Sequence, residues 1–237
     1  MTPEEKLQAE KAKRYVQGSK SLLIEKFADF ATHSSEVNPV SIFMAGSPGA
    51  GKTEFSKRLV EALFEQKQNP VRIDADEIRD WIPGYTGANS HVFQGASSRG
   101  VDILYSSTLA RRQSVILDGT FAWKEKAFNN IERSLSRGRP IQVYYLFQKP
   151  EVAWEFTKQR EALENRRVTK DVFVKAFLAA HTNVIAAKAH FGENIKLNVV
   201  LKDMRDPTRY EVHLDTADVD QFIPWEYSYD TLMQTLI

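Results

Sequence analysis

One eight-residue segment constrains this chain more than any other. It has glycine at its first and sixth positions, followed by lysine and threonine, and it reads Gly46-Ser47-Pro48-Gly49-Ala50-Gly51-Lys52-Thr53. The spacing matches the phosphate-binding loop G-x-x-x-x-G-K-[ST]. In that loop the backbone N–H groups cradle phosphates, the lysine reaches the β- and γ-phosphates, and the threonine hydroxyl holds Mg²⁺. All eight residues are therefore predicted to bind a nucleoside triphosphate, ATP or GTP, together with Mg²⁺.

The residues on either side of this loop support that interpretation. The preceding stretch Val40–Ala45 is short and mostly apolar, as expected for a buried strand. After the loop, Phe55, Leu59 and Leu63 recur at the spacing of one helix face. The N-terminus of such a helix adds a favourable dipole for a bound anion. An accidental glycine-rich turn would not require these neighbours.

Short apolar stretches alternate with helical patterns along the chain. Strands are expected at 40–45, 71–74, 114–118, 141–147 and 196–201, with a further candidate at 210–214, and helices at 3–32, 53–66, 91–111, 124–137, 150–163 and 172–187. This alternation predicts an α/β fold of the P-loop NTPase/kinase type, with a mostly parallel sheet and helices on both faces. We expect a helical extension at 1–38 and a kinase domain at 39–237, with a lid segment near 160–170.

Composition narrows the possible partners. The 237 residues include 32 basic and 31 acidic side chains, so no strong overall field favours nucleic acid or a membrane surface. There is no cysteine, which excludes thiol catalysis and fits a reducing compartment. The charged N-terminus has no apolar signal-peptide core, and no apolar stretch approaches the length of a membrane span. A cytoplasmic protein is expected, with no membrane contact and with nucleic acid an improbable partner.

Four carboxylates are expected near the loop, because ligands bind where parallel strands end. Asp74 ends the second strand, and it could cap the next helix or pair with Arg72. Asp76, two residues later in a loop, could face the γ-phosphate. Asp118 ends the third strand, where it would meet Mg²⁺ through water or meet the substrate. Asp102 should lie level with Asp118, because helix and strand rises over the intervening residues nearly cancel.

The charge that builds on a transferring phosphoryl group calls for arginines. Arg160, Arg166 and Arg167 lie in or beside the lid segment, and at least one of them is expected to be catalytic. Three further arginines near Gly138 are read as surface residues: Arg133, Arg137 and Arg139. Four aromatic residues of two loops could line an acceptor pocket, and packing in the core or in the lid is an equal alternative: Trp81, Tyr85, Phe121 and Trp123.

From Val40 to about Arg167, and more loosely to about Val200, the chain resembles the zeta-toxin family of P-loop kinases. The resemblance rests on the phosphate-binding loop, Ile73-Asp74-Ala75-Asp76, Asp118-Gly119-Thr120 and the arginines near 160 and 167. It implies an ATP- or GTP-dependent kinase that phosphorylates a sugar hydroxyl of a UDP-activated amino sugar, typically UDP-N-acetylglucosamine. It also implies a bacterial toxin that is held in check by an antitoxin protein.

The resemblance also assigns roles by position. It makes Asp76 the catalytic base, and it makes Lys52 and Thr53 the phosphate and Mg²⁺ ligands. Arg160 and Arg167 match the pair that clamps the triphosphate. Three residues match the family's substrate-binding positions: Asp102, Asp118 and Thr120. Asp118 is also expected near the metal.

This chain departs from the family pattern on the acceptor side only. Asp118 replaces the family's usual Glu, Asp102 is one methylene shorter than the family's Glu, and Ala122 stands where some members carry a substrate-binding Arg. A different small-molecule or nucleotide acceptor therefore stays open, as does a slow NTPase that switches partners. A helix at 3–32 could also block the nucleotide site in cis, or it could simply pack on the sheet or dock an antitoxin.

Overall fold

The computed structural model describes residues 1–66, 68–164, 166–202 and 209–237. The helices in these ranges are α1 (Pro3–Gly18), α2 (Lys20–Ala28), α3 (Lys52–Glu65), α4 (Ala75–Trp81), α5 (Ser90–Ala110), α6 (Lys124–Leu135), α7 (Pro150–Glu164), α8 (Lys170–Phe191) and α9 (Tyr229–Thr235). The strands are β1 (Ser41–Ala45), β2 (Val71–Asp74), β3 (Val115–Asp118), β4 (Ile141–Phe147), β5 (Lys196–Lys202) and β6 (Tyr210–His213).

These strands form one sheet in the order β2-β3-β1-β4-β5-β6. The first five strands in that order are parallel, and β6 runs antiparallel to β5. The register pairs Asp74 with Asp118, so the last residues of β2 and β3 lie side by side. The phosphate-binding loop follows β1 at the same edge of the sheet. The predicted α/β fold with a mostly parallel sheet is thus confirmed.

The alternating side chains of each strand bury the two faces of the sheet separately. On one face, Phe43 of β1 and Leu117 of β3 pack among helices that include α5 and α8. On the other face, Ile42 and Met44 of β1 pack against Phe55 and Leu59 of α3. The five parallel strands are mostly buried because helices cover both faces, as in other parallel sheets, whereas the antiparallel edge strand β6 is half exposed.

The N-terminal helices belong to the first of these two layers. Val16 of α1 and Leu23 of α2 are fully buried in its core. Tyr15 packs on Trp81, with ring centroids 5.1 Å apart. His91 on α5 lies 3.0 Å from Glu5. The extension therefore packs mainly along α5, and Trp81 and Tyr85 pack among core residues.

Two helices lie outside the helical ranges predicted from the sequence, although a helix capped by Asp74 was considered. α4 begins directly at the end of β2 because Asp74 caps it and accepts a hydrogen bond from the Asp76 backbone N–H at 2.8 Å. Asp76 was predicted in a loop, but it lies in the first turn of this helix. The second unpredicted helix is α9, whose Leu232 packs against α7 and α8 residues.

The prediction that Arg139 is a surface residue is wrong. Its side chain is buried and donates to Ser41 Oγ at 2.8 Å, to the Val40 carbonyl at 3.0 Å and to the Gln113 carbonyl at 2.6 Å. Burial lowers its pKa to about 10. Arg139 therefore joins the segments that lead into the sheet at the edge away from the site.

One helical stretch, Lys170–Asn194, has the length and composition of a membrane-spanning segment. The core explains its apolar character, since Phe173, Phe177, Ala180 and Val184 are all buried inside the protein. A buried helix of a globular domain meets the same criteria of length and composition.

Candidate active site

The phosphate-binding loop has the conformation that its glycines allow. Gly51 has φ +87° and precedes the first turn of α3. Gly49 has φ +72°, and a Cβ there would lie 2.0 Å from the Ala153 carbonyl oxygen. The Gly46 N–H donates to the Thr120 carbonyl at 3.1 Å, which links the start of the loop to the segment after β3.

Lys52 folds back onto its own loop in this structure. Its Nζ donates to the Ser47 carbonyl at 2.6 Å. Burial, together with the positive charge of Arg160, lowers the pKa of Lys52 to about 8, against the opposing effect of Asp118 and the other nearby carboxylates. A bound phosphate would add negative charge beside Lys52 and so favour its charged form further.

A cleft of ≈ 1050 Å³ opens at the carboxyl edge of the sheet. Its walls come from the phosphate-binding loop, the ends of β2 and β3, α5, the start of α6 and the end of α7. Such a volume lies at the upper end of what a single small ligand occupies. The cleft therefore has room for a nucleotide and a second molecule.

Asp76 lies in this cleft, held by arginines from two directions. Arg79 donates to its Oδ1 at 2.9 Å, and Arg166 donates to its Oδ2. Arg160 approaches the same Oδ2 at 3.6 Å. Arg79 is buried and also donates to Gln94 Oε1 at 2.9 Å, while its Nε has no hydrogen-bond partner among the described residues. The carboxylate is thus fixed by one buried arginine and neutralised by two arginines of the lid.

Arg72 organises the neighbouring carboxylates. Its Nη2 lies 2.6 Å from both Asp74 and Asp118, and its Nη1 lies 2.6 Å from Glu77. Burial and the charges of Asp118 and Asp76 raise the pKa of Asp74 to about 6. Asp74 therefore both caps α4 and pairs with Arg72, the two structural roles considered for it from the sequence. It contributes to the site through these structural contacts.

Asp118 has protein partners in addition to any role in metal binding. Its carboxylate is almost fully buried and uses Oδ2 for Arg72 and for Ser56 Oγ, the latter at 2.7 Å. Thr53 lines the cleft at the start of α3. Within the described residues no group of three His, Cys, Asp or Glu could hold a metal. The oxygen donors of Thr53 and Asp118 suit Mg²⁺, which usually takes few protein ligands beside phosphate oxygens and water.

The segment between β3 and α6 forms the far wall of the cleft. Thr120 lines it, and Phe121 adopts φ +61°, a conformation that costs a non-glycine residue about 1–2 kcal/mol. Asn183 of α8 is buried and donates to the carbonyls of Phe121 and Ala122 at 2.9 and 3.0 Å. These bonds hold the strained turn, and Trp123 follows it at the rim with 67% of its surface exposed.

Asp102 does not line the cleft. It lies on α5, beside a shallower neighbouring pocket, and its Oδ1 is 3.4 Å from Nζ of Lys126, which does line the cleft. The two lid arginines of the resemblance also differ in position. Arg160 lines the cleft, whereas the Arg167 side chain is 79% exposed and approaches Glu161 at 3.9 Å. Arg166 is the arginine that joins Arg160 at Asp76.

Sequence reasoning missed several residues of the cleft. Arg58, Phe156, Lys202 and Tyr210 line the end beside the phosphate-binding loop, with Lys202 Nζ 5.3 Å from the Phe156 ring centroid. They come from four separate elements, so no local motif marks them. Arg79 could have been found, because it lies three residues after Asp76 and on the same helix face once α4 is recognised. Of the lid segment, Asn165 lies outside the described residues.

The N-terminal extension lies away from the nucleotide site. None of residues 1–38, all of which the structure describes, lines the cleft. Lys13 and Arg14 of α1 instead border the shallow pocket beside Asp102. This position argues against the hypothesis that α1 blocks the nucleotide in cis.

The parallel sheet, the phosphate-binding loop after β1 and the carboxylates at the same edge define a protein of the P-loop NTPase/kinase class. Within that class, the chain belongs to the zeta toxin family, whose family model matches residues 25–222. The resemblance found in the sequence is thereby confirmed. No protein of curated function matches the chain.

Solved structures share the fold at low identity. The PezAT chromosomal toxin–antitoxin system of Streptococcus pneumoniae is 17% identical with a TM-score of 0.66, and the match covers 99% of this chain and 94% of that chain. A native AvrRxo1-ORF1:-ORF2 complex is 16% identical with a TM-score of 0.60, covering 90% and 67%. The same complex with ATP is 12% identical with a TM-score of 0.60, and the match covers 86% of this chain and 64% of that chain. At these identities the likeness shows the fold alone.

Proposed function

We propose that this protein is an ATP- or GTP-dependent kinase that phosphorylates a sugar hydroxyl of a nucleotide-activated amino sugar such as UDP-N-acetylglucosamine. The observation that carries the proposal is Asp76, a carboxylate fixed by a buried arginine in the cleft that the phosphate-binding loop opens onto. Phosphoryl transfer to an alcohol needs positioning, charge neutralisation and a base for the hydroxyl proton. The cleft offers a residue for each of these tasks.

The residues divide these tasks as follows. The loop residues 46–53 hold the β- and γ-phosphates, with Lys52 turning from Ser47 to the phosphate oxygens. Asp76 accepts the proton of the acceptor hydroxyl. Arg160 and Arg166, which neutralise Asp76 in the structure, move to the triphosphate when it binds and so free the carboxylate. Arg79 stays in place and keeps Asp76 oriented.

Mg²⁺ would be held by Thr53 and, directly or through water, by Asp118. When bound, it would neutralise charge on the β- and γ-phosphates. Ser56 and Arg72 both contact Oδ2 of Asp118 and so orient its carboxylate.

The acceptor would lie in the half of the cleft formed by Thr120, Trp123 and α5. The family membership supports a kinase-type activity, and the size of the cleft supports a second ligand beside the nucleotide. The position of Asp102 outside the cleft and the presence of Ala122 favour one alternative. In that alternative the same machinery phosphorylates a different small molecule or nucleotide.

We also propose an antitoxin protein as partner. The support is the family and the similarity to structures described as toxin–antitoxin systems or as ORF1:ORF2 complexes. A compartment with free ATP, such as the cytoplasm, follows from the proposed activity.

The test is to incubate the purified chain with ATP, Mg²⁺ and UDP-N-acetylglucosamine and to look by mass spectrometry for one added phosphate. Asp76→Asn and Lys52→Ala are the matched controls, because they remove the base and the phosphate ligand separately. A phosphorylated UDP-sugar that both variants fail to form supports the proposal. If the UDP-sugar stays unmodified and another metabolite from a cell extract is phosphorylated, the alternative acceptor would be favoured instead.

A further inference from the structure

Two residues in the acceptor half of the cleft, Lys126 and Trp123, have chemistry that the proposed function does not yet use. The first is Lys126, which lies in the first turn of α6, four residues after Ala122, and both residues line the cleft. Its side chain is partly buried, and its Nζ lies 3.4 Å from Asp102 Oδ1, a pairing that uses at most one of its three N–H donors. A cation is therefore available in the part of the cleft where Ala122 contributes no charge.

The second feature is Trp123 at the rim of the same half. Tryptophan is seldom left so exposed, and this one follows a turn that Asn183 holds through two carbonyls. An exposed aromatic face at the mouth of a cleft is a surface on which a planar base can stack. The indole ring of Trp123 is therefore exposed to solvent at the entrance of the cleft.

We infer that Lys126 and Trp123 together recognise the nucleotide part of the acceptor, with Lys126 binding its phosphate and Trp123 stacking on its base. This inference rests on the proposed function and names the residues that would select a nucleotide-linked acceptor over a free sugar. Asp102 then acts by positioning Lys126 and does not touch the acceptor. This role also accounts for its place outside the cleft.

The test measures binding without turnover. The full-length chain is saturated with Mg²⁺ and a non-hydrolysable ATP analogue, so that the phosphate-binding loop is filled, and UDP and uridine are then titrated by calorimetry. We expect Lys126→Met to weaken UDP binding by about tenfold or more and uridine binding little, because only the phosphate contact is lost. Trp123→Ala should weaken both ligands by at least about fivefold, and Trp123→Phe should restore much of the loss.

The two control residues match Lys126 and Trp123 in side-chain type but lie outside the cleft. Lys124→Met removes a cation of α6 that does not line the cleft, and Phe64→Ala removes an exposed aromatic ring of α3 that also lies outside it. Neither should change UDP binding. Asp102→Asn should weaken UDP binding in the wild-type background but add nothing to Lys126→Met, as expected for a residue that acts through Lys126.

The outcomes separate this inference from the proposed kinase activity. UDP binding that depends on Lys126 and Trp123, with no phosphorylated UDP-sugar formed, would retain the inference and reject the activity. Phosphorylation of UDP-N-acetylglucosamine with unchanged KM in both variants would retain the activity and overturn the inference. An analogue-loaded wild-type chain that does not bind UDP would also overturn it.

Discussion

Arg166 donates a hydrogen bond from Nη1 to Oδ2 of Asp76, across 90 positions of sequence. Arg79 holds the other oxygen of the same carboxylate from within α4. The proposed base is therefore neutralised by a lid residue and fixed by a buried one. A triphosphate can compete for the lid arginine but not for the buried one.

Replacing Arg166 should reduce phosphoryl transfer far more than replacing Arg167. Arg166→Ala should lower kcat by at least about tenfold more than Arg167→Ala, because a guanidinium in the cleft can reach the transferring phosphoryl group. Arg167 has a side chain that is 79% exposed. Steady-state kinetics of the two variants provide the measurement. Equal losses would mean that the lid rearranges to bring Arg167 inward, as the family resemblance implies.

Asp76→Asn should leave nucleotide binding nearly intact while lowering transfer by about two to four orders of magnitude, because the amide cannot accept the hydroxyl proton. Calorimetry with ATP and a single-turnover assay measure the two quantities separately. Near-full transfer by this variant would remove Asp76 from the mechanism. Glu77→Gln, a change to the neighbouring carboxylate that pairs with Arg72, is the matched control.

ATP binding should weaken as the pH rises above about 8. Burial lowers the pKa of Lys52 to about 8 in the free protein, so the ammonium is present below that pH and lost above it. Bound phosphates favour the ammonium and raise its pKa. The affinity should therefore be flat below pH 8 and then fall by up to about tenfold per pH unit, with one proton taken up on binding.

This pH dependence can be checked by calorimetry in buffers of different ionisation enthalpy. Lys52→Arg is the matched variant, because a guanidinium stays charged throughout the range. Its affinity, whatever its absolute value, should not fall between about pH 8 and 9.5. A parallel fall in both proteins would assign the titration to another group.

Gly49→Ala should abolish nucleotide binding or destabilise the loop. Its Cβ would meet the Ala153 carbonyl at 2.0 Å in addition to the strain of φ +72°. Gly138 has a similar φ of +64° with open space around it, so Gly138→Ala should cost only the strain, about 1–2 kcal/mol. Thermal unfolding and ATP binding of both variants distinguish the clash from the strain. Similar behaviour of the two variants would contradict the close approach of α7 to the loop.

Asn183→Ala should lower the free energy of unfolding by about 1–3 kcal/mol, since two buried carbonyls lose their donor. It should also raise the KM for the acceptor more than the KM for ATP, because the freed turn carries Thr120 and Trp123. Chemical denaturation and steady-state kinetics supply these values. Equal effects on both KM values would show that the turn supports the whole cleft. Thr182→Val, a change at the exposed neighbour on α8, is the control.

The sequence determined the features that depend on local order. The phosphate-binding loop is contiguous, so its spacing identified the ligand class, and the alternation of strands and helices determined the parallel sheet. The same alternation placed Asp74, Asp76 and Asp118 at one edge, because parallel strands end together. Even the cap formed by Asp74 was foreseeable, since it acts on residues directly after it.

Only the tertiary structure decided which side chains from distant parts of the sequence pair with one another. Arg166 rather than Arg167 reaches Asp76, because the path of the chain between α7 and α8 decides which of two adjacent side chains points inward. Asp102 pairs with Lys126 instead of entering the cleft, since the rotation of α5 about its axis is determined by its packing. Asn183 supports the acceptor wall from α8, a distant part of the sequence. Such contacts depend on the packing of whole elements, and no local pattern encodes them.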